Sequence, residues 1–195
     1  MSAMTDATAA AGDARDADLM TRVRDGETES LAELFDRHHR RLFNFFLRLT
    51  GRRSVAEDLV QEVFVRMLKY RHTYRPGAAL APWMFTLARN AAADHWRARP
   101  RELERDPEAP EPTAPTVHPL DRLEAAEERS RLRDALGRLP PEKRELLLLA
   151  RSGEMRYERI GELFGISVGA VKVRVHRAMK ELRAAYEALA EEGSA

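Results

Sequence analysis

The side chains best suited to chemistry in this sequence are cationic and lie close together near its C-terminal end. Lys172, Arg174, His176, Arg177 and Lys180 fall within one short stretch, interleaved with Val171, Val173, Val175 and Ala178. On a helix, Val171, Val175, Ala178 and Leu182 recur at three- and four-residue steps and form one face. Lys172, Val173, His176, Arg177 and Lys180 then point away from it. Such an outer face neutralises phosphates. Near the start of a helix it also reaches base edges in a major groove, with Arg or Lys on guanine and an apolar side chain on the thymine methyl. The competing reading is a helical hairpin with an ordinary solvated basic face.

Other chemistries lack their parts. There is no cysteine, which excludes a disulfide framework, a thiol nucleophile and a thiolate metal site. His38-His39 with Asp36, and Asp94-His95, are adjacent in sequence, so on a helix their side chains diverge and cannot chelate. No phosphate-binding glycine loop, nucleophile elbow or paired-acid motif is present. The expectation is a protein that is not an enzyme and holds no metal or cofactor.

The elements that would position the cationic face read as a helix–turn–helix. In Tyr157–Val175 a small residue is needed inside the first helix, where the second crosses closely, and Gly161 stands there. Gly165, four residues on, supplies a turn position tolerant of positive φ. Ile160, Phe164, Ile166, Val171 and Val175 would meet in the core, and Ser167 is a natural N-cap for the second helix. Charge supports the placement. Although the net charge is only +1, residues 143–183 hold ten Lys/Arg against five Asp/Glu, a local excess that favours a polyanionic partner.

The rest of the chain is helical too. Charged residues are 33% and aromatics only 7%, a balance that suits helices over a β-sandwich. Residues 1–18 are small and acidic and read as a disordered tail, neither a signal peptide nor a membrane anchor. Leu31, Leu34, Phe35, His38, Leu42, Phe45, Phe46 and Leu49 form one stripe. Ser54-Val-Ala-Glu57 is a capping box for a second helix bearing Leu59, Val60, Val63, Phe64, Met67 and Leu68. Pro76-Gly77 mark a loop, and Pro82 suits the first position of a third helix. Six of the ten prolines lie between Pro100 and Pro119 and define a semi-extended linker. The expected organisation is all-α: a tail at 1–18, one helical domain at 19–99, a linker at 100–120, a second helical domain at 121–190 and a short tail at 191–195. The second domain is expected to hold helices at Leu123–Leu139, Pro141–Ala150 and Tyr157–Phe164, then a last long one to about Leu189.

Asp58-Leu-Val-Gln61-Glu62-Val-Phe64, Trp83-Met-Phe-Thr-Leu-Ala-Arg89-Asn90, Asp94-His-Trp-Arg97, Arg144 and Gly169–Ala178 together resemble the sigma-70 family, in particular its short extracytoplasmic-function (ECF) group. The resemblance spans Leu19 to Leu189 with the motifs in order across both domains. It implies that residues 19–99 form sigma domain 2, which binds the polymerase clamp and the minus-ten element. Residues 121–190 would form domain 4, which reads the minus-thirty-five element. The implied partners are core RNA polymerase (clamp helices of its largest subunit and its flap region), promoter DNA and an anti-sigma factor, with no membrane insertion and a cytoplasmic location. A linker of roughly 20 residues spans at most ~65–70 Å, enough for two elements ~35–70 Å apart on one face of the duplex.

The resemblance also implies residue roles. Asp58, Gln61 and Glu62 would dock on the clamp helices, where acidic and amide groups suit a partner carrying arginines; their other reading is a plain solvated face. The loop Arg71–Ala81 would capture a minus-ten base, with Tyr74 as stacking ring and Arg71, His72 and Arg75 on phosphates. Here Ala78-Ala-Leu-Ala-Pro82 departs from the family pattern in lacking polar groups. Trp83 is either a wedge at the edge of melted DNA or a core anchor. Arg89, Asn90, Arg97 and Arg99 run along the helix that faces the duplex. Lys172, Val173, His176 and Arg177 match the positions facing the minus-thirty-five groove. Ala170 stands there for a common Thr, Val173 for a common Ser, and Gly161 for a common Ala. Three other classes compete: a helix–turn–helix regulator that binds DNA alone, a sigma mimic that titrates an anti-sigma protein, and an enzyme. The docking motif argues against the first and the intact basic helix against the second. The absence of a catalytic constellation argues against the third.

Overall fold

A computed structural model of the chain describes residues 2–98, 119–151 and 155–192, with side chains described over 12–98, 127–151 and 155–192. Among the described residues there are eight α-helices and one 3-10 turn, without a strand, the all-α class expected. The chain divides into two compact units, Met1–Asn44 with Ala56–Leu103 and Phe45–Val55 with Glu104–Ala195. Helical periodicity alone assigns residues 45–55 to the first unit, because a stripe says that a helix is covered but not by what. Most of the linker, residues 100–118, lies outside the described residues.

The first unit is built on α1 (Ser2–Arg24), most of α2 (Ser30–Thr50), α3 (Arg53–Lys69), the 3-10 turn Arg71–Thr73 and α4 (Leu80–Ala98). Its core includes Met20, Val23, Leu34, Leu42, Val63, Met67, Met84, Phe85 and Ala88. The expected tail is corrected: residues 2–18 belong to α1. An alanine-rich stretch has high helix propensity, and its end is anchored. Ala17, Leu19, Met20 and Val23 are buried. Asp16 accepts from Arg37 Nε at 2.6 Å through one oxygen and from His38 Nε2 at 2.8 Å through the other. One caught carboxylate in an otherwise polar segment is a tertiary feature that composition does not carry.

Asp16 and His38 are both buried, and His38 Nδ1 has no hydrogen-bond partner. Burial holds the imidazole below its ordinary pKa. Asp16 pulls the other way, and Arg41 and Arg37 add to the lowering. A base that binds protons less readily folded than unfolded contributes stability above its unfolded value. That stability is lost as the pH falls from about 6.5, the free imidazole value, toward the folded one. The melting temperature should therefore drop between pH 7.5 and 5.5 by more in the parent than in His38→Gln. Parallel melting curves with equal drops would refute this.

Three helix starts differ from expectation: the helix expected at Leu123 begins four residues earlier, at Pro119, and two others differ by one or two residues. α3 begins at Arg53, so Ser54 lies inside its first turn; the entry is shaped instead by Thr50, whose hydroxyl accepts from the Arg52 N–H at 3.2 Å. α4 begins at Leu80, and Pro82 sits third, still within the first turn, where its missing N–H has no intrahelical partner to lose.

The second unit contains α5 (Pro119–Arg138), α6 (Pro141–Arg151), α7 (Tyr157–Phe164) and α8 (Val168–Glu192). The long α8 packs against α5, α6 and α7 in turn. Leu136, Leu139, Leu146, Leu147, Leu149, Ile160, Val171 and Ala178 form the core. Arg144 Nη2 donates to the carbonyls of Gly137 and Leu139 at 2.8 and 3.0 Å, serving carbonyls left open where α5 ends. Among the described residues no helix is long and apolar enough to cross a membrane.

Candidate nucleic-acid interface

In the second unit, α7, its turn and α8 form the helix–turn–helix. Gly165 has φ +64° and donates to the Glu162 carbonyl; the Ile166 N–H donates to the Gly161 carbonyl at 2.9 Å. The Ser167 hydroxyl accepts from the Ala170 N–H at 3.2 Å, an N-cap reaching the third residue of α8. Gly161 is buried, and a Cβ built on it would lie 2.7 Å from the Ile166 carbonyl oxygen. The departure from Ala at this position is thus matched by a turn that approaches α7 more closely than a methyl group allows.

α8 separates its two faces cleanly. Val171, Val175 and Ala178 are buried, whereas Lys172, Val173, His176 and Arg177 are exposed. Val173, 49% exposed, is an apolar group held at the surface within a cationic row. Arg174 belongs to the same stretch but turns toward α6, where it pairs with Glu142 at 3.5 Å. The cationic side therefore faces outward and is open to a polyanion.

In the first unit the 3-10 turn and the start of α4 are locked together by aromatic side chains. Tyr74 is only 2% exposed and donates its hydroxyl to the Ala78 carbonyl; burial, with the charge of Asp16 adding, pushes its phenol pKa up to about 12. Its ring meets that of Trp83 edge-on at 5.3 Å, and the half-buried Trp83 donates its indole N–H to the Thr73 hydroxyl at 3.2 Å. Tyr74 is therefore a core residue whose ring is closed to a base, which corrects its assignment as the stacking group. Tyr70, four residues earlier, was not singled out from the sequence, because only tertiary packing decides which ring is covered. Tyr70, with Lys69 Nζ 5.3 Å from its ring centre, is the exposed one. Arg71 spends Nη1 on the Leu68 carbonyl at 2.9 Å, while His72 and Arg75 are exposed.

Along α4, Arg89 is half-buried, and Asn90 and Arg97 are exposed. Arg97 pairs with Asp94, and the apolar ring of Trp96 is exposed beside it. Arg99 lies outside the described residues. On α3, Asp58 and Gln61 are exposed and Glu62 is half-exposed, with Leu59, Val63 and Phe64 buried beneath them. Val65, also exposed, adds an apolar group beside this polar row. Sequence reasoning passed over Arg66. Its i,i+4 relation to Glu62 was visible, but its second contact, to Asp94 on α4, was not. Among the described residues no cluster of His, Cys, Asp or Glu could hold a metal ion.

The sequence matches the family models for Sigma-70 region 2 over residues 34–102 and Sigma-70, region 4 over residues 129–182. It is 35% identical to the RNA polymerase sigma factor CarQ of Myxococcus xanthus, the match covering 84% of this chain and 93% of that protein. It is 36% identical to the ECF RNA polymerase sigma factor EcfG of Rhodopseudomonas palustris, over 72% and 76%. Two solved structures share the fold at 24% identity. One is CnrH in complex with the cytosolic domain of CnrY (TM-score 0.66, covering 89% of this chain and 97% of that one). The other is the sigma factor RpoE from Bartonella quintana in complex with the anti-sigma factor NepR (TM-score 0.64, 80% and 96%). With region 2 falling mainly on the first helical unit and region 4 on the second, the chain belongs to the ECF group of the sigma-70 family, factors for transcription initiation that direct promoter recognition and are not enzymes.

Proposed function

We propose that the two regions divide the work of initiation. Domain 4 (residues 121–190) reads the minus-thirty-five element through Lys172, Val173, His176 and Arg177. Domain 2 (residues 19–99) docks on the clamp helices of core polymerase through Asp58, Gln61 and Glu62. It also holds the minus-ten element through Arg71, Arg75, Trp83, Arg89, Asn90 and Arg97. The Pro-rich segment 100–118 sets the reach between them. The observation that carries this reading is the split of α8 into a buried apolar face and an exposed cationic one. On the exposed face, Val173 offers the thymine-methyl contact that a serine does not. Trp83 supports both of its readings at once: tied to Thr73 and Tyr74, it is half-buried, and its remaining surface faces outward as a wedge would.

An anti-sigma factor fits as a further partner, since RpoE of Bartonella quintana, which shares the fold, was solved in complex with the anti-sigma factor NepR. The place of action is the cytoplasm, where polymerase and chromosome meet. Run-off transcription with core polymerase on a randomised promoter library tests the assignment. The expected product pool carries two short motifs at fixed spacing. A single motif, bound equally well without polymerase, would instead identify a stand-alone DNA-binding regulator.

A further inference from the structure

Four charged side chains of the first unit form an alternating row from α3 to α4. Glu62, on the proposed polymerase-docking face, accepts from Arg66 Nε at 2.6 Å. Arg66 Nη2 reaches across to Asp94 Oδ2 at 2.8 Å. Asp94 Oδ1 is taken by Arg97 Nη2. Arg66, 17% exposed, is the covered member, whereas Arg97 is 76% exposed. Asp94 is held below the ordinary carboxylate range by the Arg66 hydrogen bond first and also by Arg97, so it stays ionised at neutral pH.

Each interior member divides itself between two neighbours. One guanidinium serves two carboxylates, and one carboxylate serves two guanidiniums. A planar fork that loses one partner can present two parallel N–H groups to the other, a bidentate contact stronger than either shared one. Neutralising Glu62 from outside therefore tightens Arg66 on Asp94 and loosens Asp94 from Arg97.

We propose that Arg66 is a positioning residue that couples polymerase docking on α3 to promoter contact on α4, because a polymerase cation that takes Glu62 moves Arg66 fully onto Asp94 and frees Arg97 for a DNA phosphate. The inference rests on the docking and minus-ten assignments made above. Linkage makes it reciprocal: a phosphate on Arg97 must favour docking at Glu62 by the same factor. Were Arg66 only a staple between the two helices, its loss would lower stability without touching this reciprocity.

The test is the dissociation constant of the full chain for core polymerase, measured with and without a forked minus-ten promoter fragment. The ratio of the two is the coupling. Arg66→Gln and Asp94→Asn should each shrink that ratio by about two- to fivefold, the range for partly exposed charge pairs. Raised salt should shrink the parental ratio toward theirs. An unchanged ratio in both variants overturns the proposal. If Arg66→Gln folds poorly, Asp94→Asn, at a more exposed site, decides alone. Glu62→Ala and Arg97→Ala serve as controls on the underlying assignments. If the first leaves polymerase affinity intact, or the second leaves DNA affinity intact, the assignment itself falls and the coupling with it.

Discussion

Replacing Lys172 and Arg177 together with alanine should abolish most discrimination of the upstream promoter element while leaving core polymerase binding at its parental strength. Both side chains are exposed on α8 and sit within its first three turns, the part of a recognition helix that reaches base edges. A good base-edge contact is worth about 1–3 kcal/mol, or about 5- to 150-fold in affinity. A cation that meets only phosphate weakens binding to every sequence alike and lowers the salt slope by about one. Holoenzyme titrations on promoter and scrambled upstream DNA at several salt concentrations separate these cases residue by residue. Loss of polymerase binding in the same variant would contradict the division of labour between the two regions.

Tyr74→Ala should unfold the first unit before it affects any DNA step. A fully buried aromatic replaced by alanine costs about 3–5 kcal/mol, which in a unit of this size lowers the melting temperature by about 15 °C or more. Tyr74→Phe should cost only about 1 kcal/mol, for the lost bond to the Ala78 carbonyl, and should keep the edge-on contact with Trp83. Calorimetry on the three proteins, beside promoter-opening assays at a temperature where all are folded, distinguishes the roles. Normal stability in Tyr74→Ala combined with failed opening would restore the ring to the role of base-stacking group.

The helix–turn–helix was the most legible part of the chain because its rules are local. A glycine at the close crossing, a glycine at the positive-φ turn, a serine at the cap and valines at helical spacing all act within about twenty residues, and α7 falls at the expected Tyr157–Phe164. The outward set of α8 followed from the same spacing. What was not legible depended on partners far away in sequence. Asp16 meets Arg37 and His38 across more than twenty positions, which turns an apparent tail into the end of α1. Tyr74 and Tyr70 look equivalent in sequence, yet only the first is covered. Arg66 was passed over, because the spacing to Glu62 says nothing of Asp94, which α4 brings to the same guanidinium. The small shifts at Arg53 and Leu80 have a different, local origin. A cap motif states where a helix can start, and the preceding turn, through Thr50 at the first of them, decides where it does.

The central claim is that each region touches its own promoter element in the assembled complex. Photo-crosslinking from position 173 on α8 and from position 75 in the loop before α4, in a holoenzyme–promoter complex, tests it directly. Position 173 should crosslink to duplex DNA at the minus-thirty-five element and position 75 to the minus-ten region. Crosslinks from both positions to one element, or from position 173 to polymerase and not to DNA, would contradict it.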